Sequence, residues 1–99
     1  VESFVSARSE LVKNREAILA IARKHGVSDV RVFGSVARGT ERPESDVDFL
    51  VRADSATLFD LVAMEEEIER LVGRKVQVVS QEGLKPRMRD AILHEAVPV

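Results

Sequence analysis

GSVARGTERPESDVD, residues 34–48, decides how the rest of this chain is read. A Gly-Ser pair, Gly34 and Ser35, stands ten residues ahead of an Asp-x-Asp, Asp46 and Asp48. Residues 30–33 before it, Val-Arg-Val-Phe, predict a short strand that the glycine breaks. From Asp46 the run DVDFLVR, residues 46–52, predicts a second strand. Its alternation puts Asp46, Asp48 and Leu50 on one side and Val47, Phe49 and Val51 on the other. The apolar set predicts the buried face, so the acids mark the exposed face of a sheet beside a loop.

The chemistry follows from the spacing. Residues two apart on a strand have Cα atoms about 6.5–7 Å apart, close enough for two carboxylates to converge on one hard cation. Magnesium suits such a pair, because it takes oxygen ligands, keeps waters and completes its shell with substrate phosphates. Two like charges on one strand face also repel unless something positive lies between them. Gly34 lets the backbone approach a ligand closely. Ser35 offers a hydroxyl and an N–H just ahead of a helical turn over residues 36–39, where an anion is welcome. Arg38 and Arg42 are near enough in sequence to meet phosphate oxygens. TERPES, residues 40–45, is a loop punctuated by Pro43.

Working outward, residues 6–25 predict one helix. Leu11, Ile18, Ala22 and His25 lie near one stripe, with Val12 and Ile21 beside it, and Gly26 ends it. His25, in the last turn, favours the helix dipole and is not a catalytic candidate. Residues 57–72 predict a second helix that buries Leu58, Leu61, Ile68 and Leu71. Ser55 or Thr57 caps it, and Gly73 ends it. Glu65, Glu66 and Glu67 inside it read as a solvated face. A third strand is expected over 75–79 and a third helix over 84–95, with Pro98 ending regular structure. A full helix between strands two and three predicts a parallel crossover, and the short loop between strands one and two predicts an antiparallel pair. The fold class is therefore α/β (α+β), a small mixed sheet with helices packed on it.

Composition bounds the function. The 99 residues fit one domain, residues 1–99, with 44% hydrophobic residues for a core and 32% charged residues for a solvated surface. The formal charge of −2 and the absence of Tyr and Trp argue against general nucleic-acid binding, which needs basic excess or stacking aromatics. Without cysteine there is no disulfide, zinc-thiolate site or thiol chemistry. No apolar run is long enough to span a membrane, and no signal-peptide pattern opens the chain, so a cytoplasmic protein is expected. An opening on Val1 in place of Met fits a processed or trimmed terminus.

FGSVARGTERPESDVDFLV, residues 33–51, resembles the signature of the DNA polymerase β-like nucleotidyltransferases, specifically the minimal nucleotidyltransferases. That family's Gly-Ser, ten residues, Asp-x-Asp pattern is met by Gly34, Ser35, Asp46 and Asp48. The wording around it, Ala37-Arg38-Gly39 and Ser45-Asp46, is matched as well, and LVGRKVQVVSQEGL over 71–84 resembles the family's third-strand segment. The resemblance implies a polymerase β-like palm fold. It implies a nucleoside triphosphate, ATP, held at the Gly-Ser turn with Gly34, Ser35, Arg38 and Ser45. It further implies magnesium, one ion or two, on Asp46 and Asp48, and transfer of a nucleotidyl group to an acceptor hydroxyl. Two such ions about 3.5–4 Å apart stabilise both the attacking and the leaving oxygen. Minimal members are paired with HEPN-family proteins and act as antitoxins, in some cases by moving AMP onto that partner.

One position departs from the pattern. The family's third acid stands on strand three, where this chain has Gln77. Alternation keeps Gln77 on the exposed, acid-bearing face. Its carbonyl can still coordinate or hydrogen-bond, but it is no base and neutralises no cation charge. By analogy with deleting a preorganised catalytic group, the loss is on the order of 10²–10³ in rate. Glu82, just past the strand, is a conceivable substitute that nothing in the sequence supports. Three readings follow: an active magnesium-dependent transferase, a weakened nucleotide-binding module that neutralises a partner by occlusion, and a structural domain with neither role. A domain this small leaves little surface for a complete pocket, so a second copy or a partner chain is expected to supply a wall. The apolar-rich segment 84–99 is the expected partner contact.

Overall fold

The computed structural model describes residues 6–42 and 44–99; Val1 and Pro43 lie outside the described residues. Helix α1, Ala7–Lys13, starts where the Ser6 hydroxyl accepts the Ser9 N–H at 3.1 Å. It stops at Asn14, whose side-chain amide donates to the Glu10 carbonyl at 2.8 Å and whose backbone leaves helical geometry at φ −103° and ψ 13°. The chain then resumes as α2, Arg15–Lys24. The single helix expected over 6–25 is thus two, because an Asn side chain competes with the backbone for its own carbonyls. Leu11, Ile18 and Ala22 are buried as the stripe predicts, whereas Val12 is exposed.

Strand β1, Ser28–Phe33, is followed by the short helix α3, Gly34–Arg38, and by β2, Val47–Arg52. Asp46 therefore sits just ahead of its strand. Helix α4, Leu58–Val72, opens on a capping box: Thr57 Oγ1 accepts the Asp60 N–H at 3.3 Å and Asp60 Oδ2 accepts the Thr57 N–H at 2.9 Å. Gly73, at φ +71°, closes it. Strand β3, Val76–Ser80, leads through a short 3₁₀ turn, Gln81–Gly83, to α5, Pro86–Glu95, and to β4, Val97–Pro98. The sheet order is β3-β2-β1-β4, with β1 antiparallel to β2 and to β4, and β2 parallel to β3. Both predicted pairings of the first three strands hold. Strand β4 corrects the expectation that Pro98 ends regular structure: on an edge strand a proline has no outward N–H to leave unpaired.

One sheet face is the core. Val32, Val47, Phe49, Val51, Val76 and Val78 are buried against Leu11, Ile18, Ala22, Met64, Ile68 and Val72 of the helices. On α4 the buried stripe is Met64, Ile68 and Val72 with Leu61 beside it, while Leu58 stays 74% exposed. Leu58 and Leu71 thus fall outside the face expected for them; the stripe runs at helical spacing through the residues that meet α2 and the sheet. The glutamates of α4 do more than face solvent. Glu65 accepts the Val78 N–H at 2.8 Å and Glu69 the Val76 N–H at 3.0 Å, which occupies the outward N–H groups of edge strand β3. Glu67 meets Lys24 Nζ at 2.6 Å and His25 Nε2 at 2.5 Å, so His25 pins α2 to α4.

The opposite sheet face carries two rows. Phe33, Asp48 and Gln77 are in register across β1, β2 and β3, and Arg31, Leu50 and Val79 form the next row. Asp48 keeps partial exposure but Leu50 has none, against the expectation for this face. In the same row the Arg31 guanidinium donates to Gln81 Oε1 at 2.5 Å. Gln81 lies just past β3, so this hydrogen bond spans the width of β2, the strand that carries Leu50. Among the described residues no helix is long and apolar enough to cross a membrane.

Candidate active site

Gly34 follows β1 directly and adopts φ +74°, a backbone region that L side chains rarely occupy. A Cβ at this position would collide with the Asp48 carboxylate, across the sheet from it. Two reasons for glycine coincide: the turn needs the left-handed conformation, and the backbone is packed against an acid. The Gly-Ser pair and the Asp-x-Asp, separated by ten residues, are thereby brought into contact.

Asp48 is held in a negative setting. Burial pushes its pKa above the ordinary 3.8, Asp46 and Glu95 push it further, and Arg38 opposes them. A cation placed here would relieve both the burial and the repulsion. Two carboxylates and the Gln77 amide are hard oxygen donors of the kind magnesium takes, so the residues fit that ion. They do not form a ready cage: among the described residues no group of three His, Cys, Asp or Glu is arranged to hold a metal. Gln77 is the direct register neighbour of Asp48 on β3 and is exposed, as alternation predicts. Glu82 accepts the Ala53 N–H at 3.2 Å, past the far end of β2, and is no substitute for a third acid.

The other predicted residues line the approach. The Ser35 carbonyl accepts the Thr40 N–H at 2.9 Å, which closes the turn after α3. Arg38 lies at the end of α3, with its guanidinium 2.7 Å from Glu95 Oε1. Ser45 Oγ accepts the Arg42 N–H at 2.8 Å, and the Ser45 N–H donates to the Arg42 carbonyl at 2.9 Å. Ser45 and Arg42 therefore shape the loop that delivers Asp46, and Arg74 steadies it by donating to the same carbonyl at 3.3 Å. Glu95 is the residue the sequence did not disclose. Its Oε2 accepts the Gly34 N–H at 2.5 Å across 61 positions of chain. A shallow apolar groove between α2 and α4, lined by Ala17, Ala20, Ile21 and Leu71, lies on the helix layer and not on the acid-bearing face.

A mixed sheet that places a glycine turn against an Asp-x-Asp at the start of β2 is the arrangement of a nucleotidyl-transfer domain, and the comparisons agree. The nucleotidyltransferase domain model matches residues 14–99, and the chain belongs to that family. A Methanocaldococcus jannaschii relative, MJ0435, named as a protein adenylyltransferase, is 38% identical over 86% of this chain and 92% of its own. Protein adenylyltransferase MntA of Thermococcus cleftensis is 32% identical over 100% of this chain and 92% of its own. A solved structure described as a minimal nucleotidyltransferase superposes with a TM-score of 0.84 at 42% identity, covering 99% of this chain and 100% of that one. A toxin-antitoxin crystal structure with AMP-PNP shares the fold at a TM-score of 0.73 and 18% identity, over 86% of this chain and 71% of that one.

Proposed function

We propose that this chain binds ATP with magnesium and transfers AMP to a hydroxyl of a HEPN-family protein, as the antitoxin of a toxin-antitoxin pair. The observation that carries the reading is the contact between Gly34 and Asp48, which joins a phosphate-approach turn to a carboxylate pair in need of a cation. The names of the adenylyltransferase relatives and the toxin-antitoxin setting of the fold neighbours support it.

In this reading Asp46 and Asp48 hold magnesium, which when bound neutralises phosphate charge and activates the acceptor oxygen. The Gly34 N–H, Ser35 and Arg38 bind and orient the triphosphate. The acceptor oxygen bonds to the α-phosphorus, the bond from that phosphorus to the β-phosphate oxygen breaks, and pyrophosphate leaves. The hydroxyl proton passes to Asp48 or to water. Ser45 acts by placing Asp46. Asp46 and Asp48 are part-exposed beside the exposed Gln77, so the acceptor-bearing protein or a second copy of this chain completes the pocket. One domain spanning residues 1–99 in a cytoplasmic setting is part of the same proposal.

Gln77 favours a second reading, in which nucleotide binding persists and transfer is weak, and the partner is neutralised by occlusion. The register of Gln77 beside Asp48 is the observation behind it. Incorporation of labelled AMP into the cognate partner separates the two. Gln77→Asp should raise transfer by about 10²-fold, with ATP affinity changed less than threefold, if the missing charge limits the chemistry. Efficient transfer by the unaltered chain, with no gain in the variant, would show that the site works without a third acid.

A further inference from the structure

Glu95 is out of place for a nucleotide site. It is the last residue of α5, yet its carboxylate reaches back to the Gly-Ser turn. One oxygen accepts the Gly34 N–H at 2.5 Å and the other meets Arg38 at 2.7 Å. These are two of the donors assigned above to the triphosphate. A carboxylate oxygen and a phosphate oxygen make the same demand of an N–H and of a guanidinium, so they compete for them. Glu95 also adds to the negative setting of Asp48, which a magnesium-bound triphosphate must enter. On the other flank of Asp48 stands Gln77, so Glu95 does not occupy the third-acid position.

Helix α5 is built to let go. None of its residues is buried, and Met88 on it is 47% exposed. Beyond Ala96 the chain is held to the sheet by β4, two residues long at an edge, and by the Val99 N–H on the Val30 carbonyl at 3.2 Å, so α5 itself packs no buried side chain into the core. Elements with few buried apolar contacts open at low cost relative to the core.

We propose that Glu95 is an internal anion that occupies the phosphate donors of the nucleotide-free protein, and that α5 withdraws it when a nucleoside triphosphate binds. The proposal rests on the nucleotide-binding reading given above and adds a gate to it. In the free protein the carboxylate satisfies Gly34 and Arg38 and keeps the turn in its binding geometry. On nucleotide entry the phosphates take both donors and Glu95 moves out with the end of α5.

The test uses the full chain, its Glu95→Gln variant and, should that fold poorly, Glu95→Asp, whose shorter side chain withdraws the carboxylate without removing its charge. The Gly34 amide resonance is recorded without ligand, and ATP with magnesium is then titrated into each protein. The expected result is a shifted Gly34 amide in the free variant and about tenfold tighter ATP binding than in the unaltered chain. In the unaltered chain, ATP should change the Glu95 side-chain carboxyl resonance. An unmoved Gly34 amide in the free variants overturns the contact itself. A moved amide with unchanged or weaker ATP binding overturns the competition. A moved amide with no ATP binding in any of the proteins overturns the gate by way of the nucleotide reading beneath it.

Discussion

Asp48 is the residue on which stability and function pull apart. Its carboxyl is raised above the ordinary 3.8 by burial, by Asp46 and by Glu95, so the folded chain holds that proton more tightly than the unfolded chain does. Stability therefore falls as pH climbs from 3.8 through the raised value, because there the native state binds more protons. Without metal, Asp48→Asn should remove that slope. The variant should match the unaltered chain in acid and melt higher at neutral pH, a gap read from thermal melts in a chelator across the pH range. Equal melting temperatures at neutral pH would mean that the charge is not strained. At this scale much of the site was legible. Strand alternation alone put Asp48 and Gln77 on one face, where they are in register, because a period of two needs no knowledge of the fold, whereas Asp46 falls just ahead of the strand. Glu95 was not legible: an acid at a helix end has no local pattern that points to an amide 61 positions away.

Among the elements, α4 and β3 show what periodicity can and cannot reveal. The existence of α4 followed from its cap, Thr57, and its stop, Gly73, both of which act locally. Its buried face did not, since Leu58 and Leu71 are as apolar as Ile68 and only tertiary contact separates them. The split at Asn14 and the two-residue β4 escaped for a similar reason: one depends on a side-chain rotamer, the other on pairing with β1 from the far end of the chain. The glutamate run was misjudged because a carboxylate that caps an edge strand and one that faces water look alike in sequence. Glu65 and Glu69 bond the outward N–H groups of β3, and bonds of that kind contribute about 1–2 kcal/mol each. Glu65→Ala with Glu69→Ala should therefore lower the urea midpoint by an amount equivalent to about 2–4 kcal/mol. The same double variant should raise light scattering at high concentration, because a bared edge strand pairs with other chains. A double variant that melts normally and stays monodisperse would remove these glutamates from any role at the edge.

The molecule is 18 Å thick in its thinnest dimension, room for one sheet and one layer of helices. Helices α1 to α4 put their buried side chains into one core with one sheet face, which explains how so short a chain buries Phe49 and six strand valines. The other face is left with the Arg31–Gln81 hydrogen bond at one end and the part-exposed acids beside the exposed Gln77 at the other. The mixed topology was legible in part: the full helix α4 between β2 and β3 permits a parallel crossover, whereas the β1–β2 connection, which carries only the short α3, returns the chain antiparallel. The exposure of the acid-bearing face was legible from alternation too, but the burial of Leu50 on it was not, because pattern tells which side of a strand is apolar and not what else comes to cover the polar side. An active site on such a face is half a pocket, and ligands are usually enclosed over most of their surface. That is the physical case for an acceptor protein or a second copy as the missing wall.

The central claim, that the Gly34 turn and the two aspartates form one magnesium-dependent nucleotide site, is tested most directly by calorimetric titration of ATP. The titration is run with magnesium, with a chelator, and with Asp46→Asn combined with Asp48→Asn. Binding with magnesium is predicted, weakened about 100-fold or more by the chelator and by the double variant alike, since two charge-paired ligands of the ion are then lost. ATP affinity that is the same in all three titrations would contradict the site.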